Sequence, residues 1–125
     1  MQHSRKLLVN RRQTLLRIDH EKNEIAFAHG GFGRAPKPID ARAQKLFELV
    51  RRSGADLGQQ IGWRDTGGVC DGNNIAACGV PVVDTMGARG GAIHSDEEYL
   101  IVESLVERAQ LSALTILRLA QGEAL

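Results

Sequence analysis

The residues best placed to do chemistry lie in GGAIHSDEEYL, residues 90–100, where a glycine pair precedes one histidine and acids follow it. Imidazole is the commonest metal ligand among side chains, and a nearby carboxylate can hold the ring in one tautomer. His94 is therefore either a metal ligand at the lip of an active site or a loop histidine bonded to a neighbouring carboxylate. Asp96, Glu97 and Glu98 are close enough in the chain to supply that carboxylate. They cannot complete a metal centre alone, because zinc takes about four ligands and a two-metal hydrolase also needs a bridging carboxylate and a general base. His3, His20 and His29 show no metal-ligand spacing.

Glycine-rich loops offer a second kind of chemistry. HGGFGR, TGGVCDG and GARGG could each cradle a phosphate. None fits G-x-x-x-x-G-K-[ST], and none gives G-x-G-x-x-G after a clear strand, so a nucleotide site is disfavoured. Gly67 and Gly68 instead bring backbone close to whatever sits at the carboxyl end of a short strand, QQIGW, where open α/β sheets collect ligands. Asp71 can cap the helix that follows. Cys70 and Cys78 have neither CxxC spacing nor the numbers for a disulfide framework, and read as small buried or loop thiols.

The elements that must position these residues belong to one modest domain of 125 residues. Sixteen basic residues against fifteen acidic ones leave a net charge of +1, which gives no electrostatic reason for nucleic acid or an anionic membrane as partner. Aromatics make up 4%, too few for stacking single-stranded bases. No apolar run approaches the ~20 residues of a membrane span, and the N-terminus lacks a signal-peptide core, so the cytoplasm is the expected compartment.

Residues 5–20 carry Leu8, Leu15, Leu16 and Ile18 at roughly helical spacing, and EIAFAH then reads as a strand. Residues 30–38 are broken by glycine and proline and read as a linker or hinge. Asp40 should cap a helix that turns Leu46, Phe47, Leu49, Val50 and Leu57 inward. A short helix NNIAAC should end at Gly79, and the non-alternating VPVVDTM reads as a buried strand. YLIV is strand-like. The last segment is an amphipathic helix with Leu105, Ala109, Ser112/Ala113, Ile116 and Leu119/Ala120 on one face and a Ser104–Glu107 capping box at its start. From residue 40 the order is helix, strand, short helix, strand, strand, helix, which predicts an α/β layer with parallel strands. Residues before 30 look like a helix–strand piece whose partner elements lie elsewhere.

Taken together, TGGVCDGNNIAACGVPVVDTMGARGGAIHSDEEYLIVESLVERAQLSALTILRLA resembles the C-terminal end of the di-zinc aminoacylase and carboxypeptidase superfamily. Its members include glutamate carboxypeptidase, acetylornithine deacetylase and succinyl-diaminopimelate desuccinylase. The likeness lies in a glycine pair with a nearby aspartate, a G-hydrophobic-P-V segment, a G-x-x-G turn, a histidine followed by acids, and a closing helix. It covers roughly residues 30–120.

The resemblance implies an α/β partial layered sheet with flanking helices: the C-terminal part of a zinc-exopeptidase catalytic domain over 34–125, preceded by a lid-domain remnant over 1–33. It implies that His94 is the family's last metal ligand and that Arg34 grips a substrate carboxylate, a task suited to a bidentate guanidinium. Ala35 here separates that arginine from the proline that usually follows it. Gly67, Gly68 and Gly90 would line the substrate pocket. The complete enzyme would hold two zinc ions, cleave an amide bond in an N-acyl amino acid or small peptide, and form a homodimer. The family's H-x-D segment, bridging aspartate, Glu-Glu pair and lid histidine have no counterpart here, so the isolated chain should be inactive and bind no zinc tightly. The rival expectation is a non-enzymatic α/β binding or oligomerisation module, driven by exposed strand edge and apolar surface.

Overall fold

A computed structural model of the chain describes residues 6–8, 24–28, 34–66 and 69–123. The elements are β1 (Lys6–Leu8), β2 (Glu24–Ala28), α1 (Ala41–Asp56), β3 (Gly62–Thr66), α2 (Asp71–Ala77), β4 (Gly90–Gly91), β5 (Tyr99–Ile101) and α3 (Glu103–Ala120). They form a small mixed helix–strand domain. β2 and β3 pair in parallel across α1, from Glu24↔Gly62 to Ala28↔Thr66. The second sheet has the order β1-β5-β4 and is antiparallel throughout. The expected parallel layer is therefore confined to one strand pair.

α1 begins where the sequence places it. The Asp40 carboxylate accepts a hydrogen bond from the Ala43 N–H at 2.8 Å, satisfying one of the free donors of the first turn. Ala43, Leu46, Phe47, Leu49 and Val50 are buried along one face, and Ser53 and Gly54 extend it. Leu57, expected inside, is the C-cap and lies exposed, because the helix ends one residue before it. Val50, Ile61 and Leu111 form the core, with Trp63, Val83 and Met86 packed around them. The Phe47 and Trp63 rings meet at 4.8 Å between centroids, a favourable tilted contact.

Several expectations are corrected. Lys6–Leu8 is a strand paired with β5 rather than the start of a helix, and residues 9–23 lie outside the described residues. The segment 80–86 joins no sheet. Pro81 has no N–H to give a ladder, and Thr85 adopts a left-handed φ of 60° that ends an extended run. α3 starts at Glu103, so Ser104 sits inside the helix and forms no capping box with Glu107. Its hydroxyl instead donates to the Ile101 carbonyl at 2.5 Å and accepts from the Arg89 N–H at 2.8 Å.

The buried stripe of α3 also differs from the expected one. Ser104, Arg108, Leu111 and Thr115 face inward, and Leu105, Ala109, Ala113, Ile116 and Ala120 face out. Polar residues tolerate the interior where their groups are bonded: Thr115 Oγ1 donates to the Leu111 carbonyl at 2.8 Å. Arg108 is the exception. It is buried, and among the described residues its Nε and Nη1 have no hydrogen-bond partner. Burial pushes its guanidinium below the ordinary arginine range, the nearby Arg89 charge adds to that, and Glu107 opposes both. An unpaired buried cation destabilises the fold, so Arg108→Met should raise the unfolding free energy in urea by about 1–3 kcal/mol.

Candidate functional site

His94 is carried at the tip of the hairpin formed by β4 and β5. Gly90 pairs with Leu100 and Gly91 with Tyr99, which leaves residues 92–98 as the connecting loop. His94 is exposed with a φ of 66°, and Ala92 is left-handed as well at 52°. Such a backbone is uncommon for residues with a side chain and is held here by the turn itself. The Ser95 N–H and hydroxyl both donate to the Ala92 carbonyl, at 3.1 and 2.7 Å, and the Glu98 N–H donates to the Ser95 carbonyl at 3.2 Å. The flanking glycines serve this hairpin. A Cβ on Gly90 would lie 2.1 Å from the Tyr99 carbonyl oxygen, and one on Gly91 would lie 2.7 Å from the Tyr99 Oη.

Beneath the hairpin is a cavity of about 170 Å³ lined by Arg89, Gly91, Ile93, Glu98 and Tyr99 among others. Arg89 is the clamp between hairpin and helix. Its guanidinium binds both carboxylate oxygens of Glu107 at 2.8–3.1 Å, and its carbonyl accepts from the Ile101 N–H at 2.8 Å. A bidentate, half-buried pair of this kind is the strong form of the arginine–carboxylate contact. The loop GARGG thus places an arginine against α3, a role its glycines did not announce.

Arg34 lies at the other end of the described chain segment. It pairs with Asp71 at 3.4 Å, at the start of α2. Asp71 is the first residue of the helix rather than its cap: Cys70 is the N-cap, and its N–H donates to the Asn73 side-chain oxygen at 3.1 Å. A carboxylate in the first turn is still favoured by the helix dipole. The structure thus joins two residues that the sequence offers separately. Gly67, Gly68 and the histidines at 3, 20 and 29 lie outside the described residues.

Residues 34–38, the described part of the linker or hinge expected over 30–38, have no regular structure and are tied to their neighbours. Asn73 Nδ2 donates to the Ala35 carbonyl at 2.8 Å and Lys37 forms an ion pair with Asp84, while Arg42, in the first turn of α1, reaches the Gly79 carbonyl. The Lys37 side chain is 5% exposed and the Asp84 side chain 18%, so this pair sits largely out of water. The Cys70 thiol donates to the same Asp84 oxygen at 3.1 Å. Asp84 fits because position 72 has no side chain: a Cβ there would lie 2.4 Å from Asp84 Oδ1. Cys78 is exposed at the C-cap of α2, where Gly79 ends the helix with a φ of 79°.

Burial pushes the Lys37 ammonium below the ordinary lysine range, and the Cys70 charge opposes this in part. The sequence holds no local signal for this knot, since its members are spread over 37–84 and only the fold brings them together.

For metal binding the described residues do not suffice. Among them, no group of three or more histidine, cysteine, aspartate or glutamate side chains could hold an ion. His94 supplies one exposed imidazole, and zinc requires about four ligands, so these residues alone do not fit a zinc pair. No helix among the described residues is long and apolar enough to cross a membrane. No protein-family model matches the chain, and no curated protein does.

Two outcomes are expected. Gly90→Ala should cost about 2–4 kcal/mol in urea unfolding, because the contact it creates is with backbone and cannot be relieved by a rotamer change. The Lys37 effect has a definite sign. As pH rises through its lowered pKa towards 10.5, the unfolded chain keeps a proton that the folded chain has released. The stability of the wild type relative to Lys37→Met should therefore increase over that window and be lowest below it.

Proposed function

We propose that the chain is the C-terminal portion of a metal-dependent hydrolase that cleaves an amide bond in an N-acyl amino acid or small peptide. The observation that carries this reading is the presentation of His94: an exposed imidazole at the tip of a glycine-pinned hairpin. An imidazole so placed can reach a metal held by other polypeptide. In this reading His94 is a single metal ligand, and the rest of a two-zinc centre comes from other polypeptide.

Arg34 is the residue for a substrate carboxylate, with Asp71 holding the guanidinium until substrate arrives. Gly67, Gly68 and Gly90 belong to the pocket wall. Residues 34–125 belong to the catalytic layer in this reading, and β1 and β2, expected in a lid remnant over 1–33, pair with β5 and β3 of that layer. The reading expects a cytoplasmic homodimer acting on a small molecule, with no nucleic acid or membrane partner.

The isolated 125-residue chain should not turn over N-acyl amino acids, with or without added zinc. Activity in source cells should run with a polypeptide larger than 13.6 kDa that contains this sequence, and His94→Ala in that polypeptide should abolish it. Turnover by the 13.6 kDa chain itself would overturn the proposal.

One observation favours a second reading, a non-enzymatic α/β module that acts by assembly. α3 buries a mostly polar stripe, Ser104, Arg108, Leu111 and Thr115, and leaves the apolar Leu105, Val106, Ile116 and Leu117 exposed on the opposite face. An exposed apolar face is a common site of contact with a partner.

A further inference from the structure

The knot on Asp84 brings together two nucleophiles that the hydrolase reading does not use. Cys70 Sγ lies 3.1 Å from Asp84 Oδ2, and the Lys37 ammonium is ion-paired with the same oxygen. The two residues are distant in the chain, and the fold sets them on one atom. Sulfur and nitrogen are therefore near neighbours, and the four-carbon lysine stem is flexible enough to close the gap between them.

Each partner supplies what the other needs. The Lys37 side chain is 5% exposed, yet Asp84 is the one partner of its Nζ among the described residues. An ammonium carries three donors, so this one is short of acceptors. Burial favours the neutral amine, which has a free electron pair. Cys70 is only half-buried, so a small oxidant can reach its sulfur from solvent. A thiol oxidised to sulfenic acid is an electrophile, and beside a nitrogen it condenses to a sulfenamide.

We propose that Lys37 and Cys70 form an oxidation-triggered cross-link, in which hydrogen peroxide joins Nζ to Sγ by a direct nitrogen–sulfur bond. In the first step the sulfur electron pair attacks a peroxide oxygen and the O–O bond breaks. The departing hydroxide takes the thiol proton and leaves as water, so sulfur is oxidised by two electrons and the peroxide is reduced. In the second step Asp84 takes a proton from the Lys37 ammonium, and the freed nitrogen pair attacks the sulfenic sulfur. The S–O bond breaks, hydroxide leaves as water with a second nitrogen proton, and the Asp84 proton returns to solvent. A thiol reductant reverses the bond and restores amine and thiol. The link ties the strap that carries Arg34 to the residue before Asp71, holding that ion pair together under oxidising conditions. It is independent of the hydrolase reading.

The test uses the full chain carrying Cys78→Ser, so that no second thiol competes, treated with hydrogen peroxide and digested with trypsin. Peptides 35–42 and 65–89 should appear as one species about 2 Da lighter than their sum, and dithiothreitol should separate them. Fragmentation should place the link at Lys37 and Cys70, apart from any oxygen taken up by Met86. Cys70→Ser keeps a hydroxyl for Asp84, and Lys37→Arg keeps the cation but offers no free electron pair. Both should retain the wild-type helix content and give no joined peptide, and a joined pair in Lys37→Arg would overturn Lys37 as the partner. Oxygen accumulating on Cys70 while peptide 35–42 stays free overturns the proposal, as does a Cys70 that resists peroxide until the chain is unfolded in urea. A joined pair about 14 Da heavier than the sum would put an oxygen in the link and overturn the direct bond.

Discussion

Everything in this domain leans on Leu111. It is fully out of solvent on the inner face of α3, in one cluster with Val50 of α1 and Ile61. Burying a leucine is worth about 2 kcal/mol, but its geometric effect is larger than its energy. Once position 111 faces α1, the rotation of α3 is set, and with it the side of the helix on which Ser104 and Glu107 meet the Arg89 loop. Those contacts in turn hold the start of β4, and β4 holds the hairpin that carries His94. The candidate ligand is thus positioned through three elements, from a contact about two turns further along the same helix face.

A second anchoring point is electrostatic. Asp84 receives Lys37 and the Cys70 thiol on one oxygen, in a place largely closed to water. Such a pair gains little net stability over an apolar substitute, but it fails badly when one member is lost. Its effect is to tie three stretches that have no regular structure: the lead-in to α1, the entry to α2 and the segment after Gly79. Arg34 therefore stands at the start of a strap tied to its neighbours. A guanidinium on a held backbone loses less entropy when it pairs, as with Asp71, than one on a free loop.

The sequence disclosed its helices more readily than their orientation. α1 was legible because Asp40 is a good cap and the apolar spacing points one way. α3 was legible as a helix, but an apolar count selects its outer face, and the buried one is the more polar. What favours the polar face is hydrogen bonding that needs the fold, the Arg89 N–H to the Ser104 hydroxyl, while Thr115 satisfies its own hydroxyl within the helix. The segment 80–86 misled for a related reason. VPVV looks like a buried strand, yet its side chains press on α2 through Val82 and Asp84 at Gly72 instead of joining a ladder. At the site, His94 and the glycines stood out by type, whereas Lys37, Asp84 and Arg89 matter through neighbours distant in sequence.

The hairpin glycines have a consequence for how this surface can change. Loops usually absorb insertions and deletions, since each added residue costs little closure entropy. The loop 92–98 has that latitude at its tip but not at its base. Side-chain-free positions must fall opposite Tyr99 and Leu100, and sliding the strands by one residue brings Arg89 or Ala92 to where glycine now stands. Residues added between 92 and 98 leave that pairing intact. The height of the imidazole above the sheet can therefore change with loop length, while the strands beneath it cannot slide.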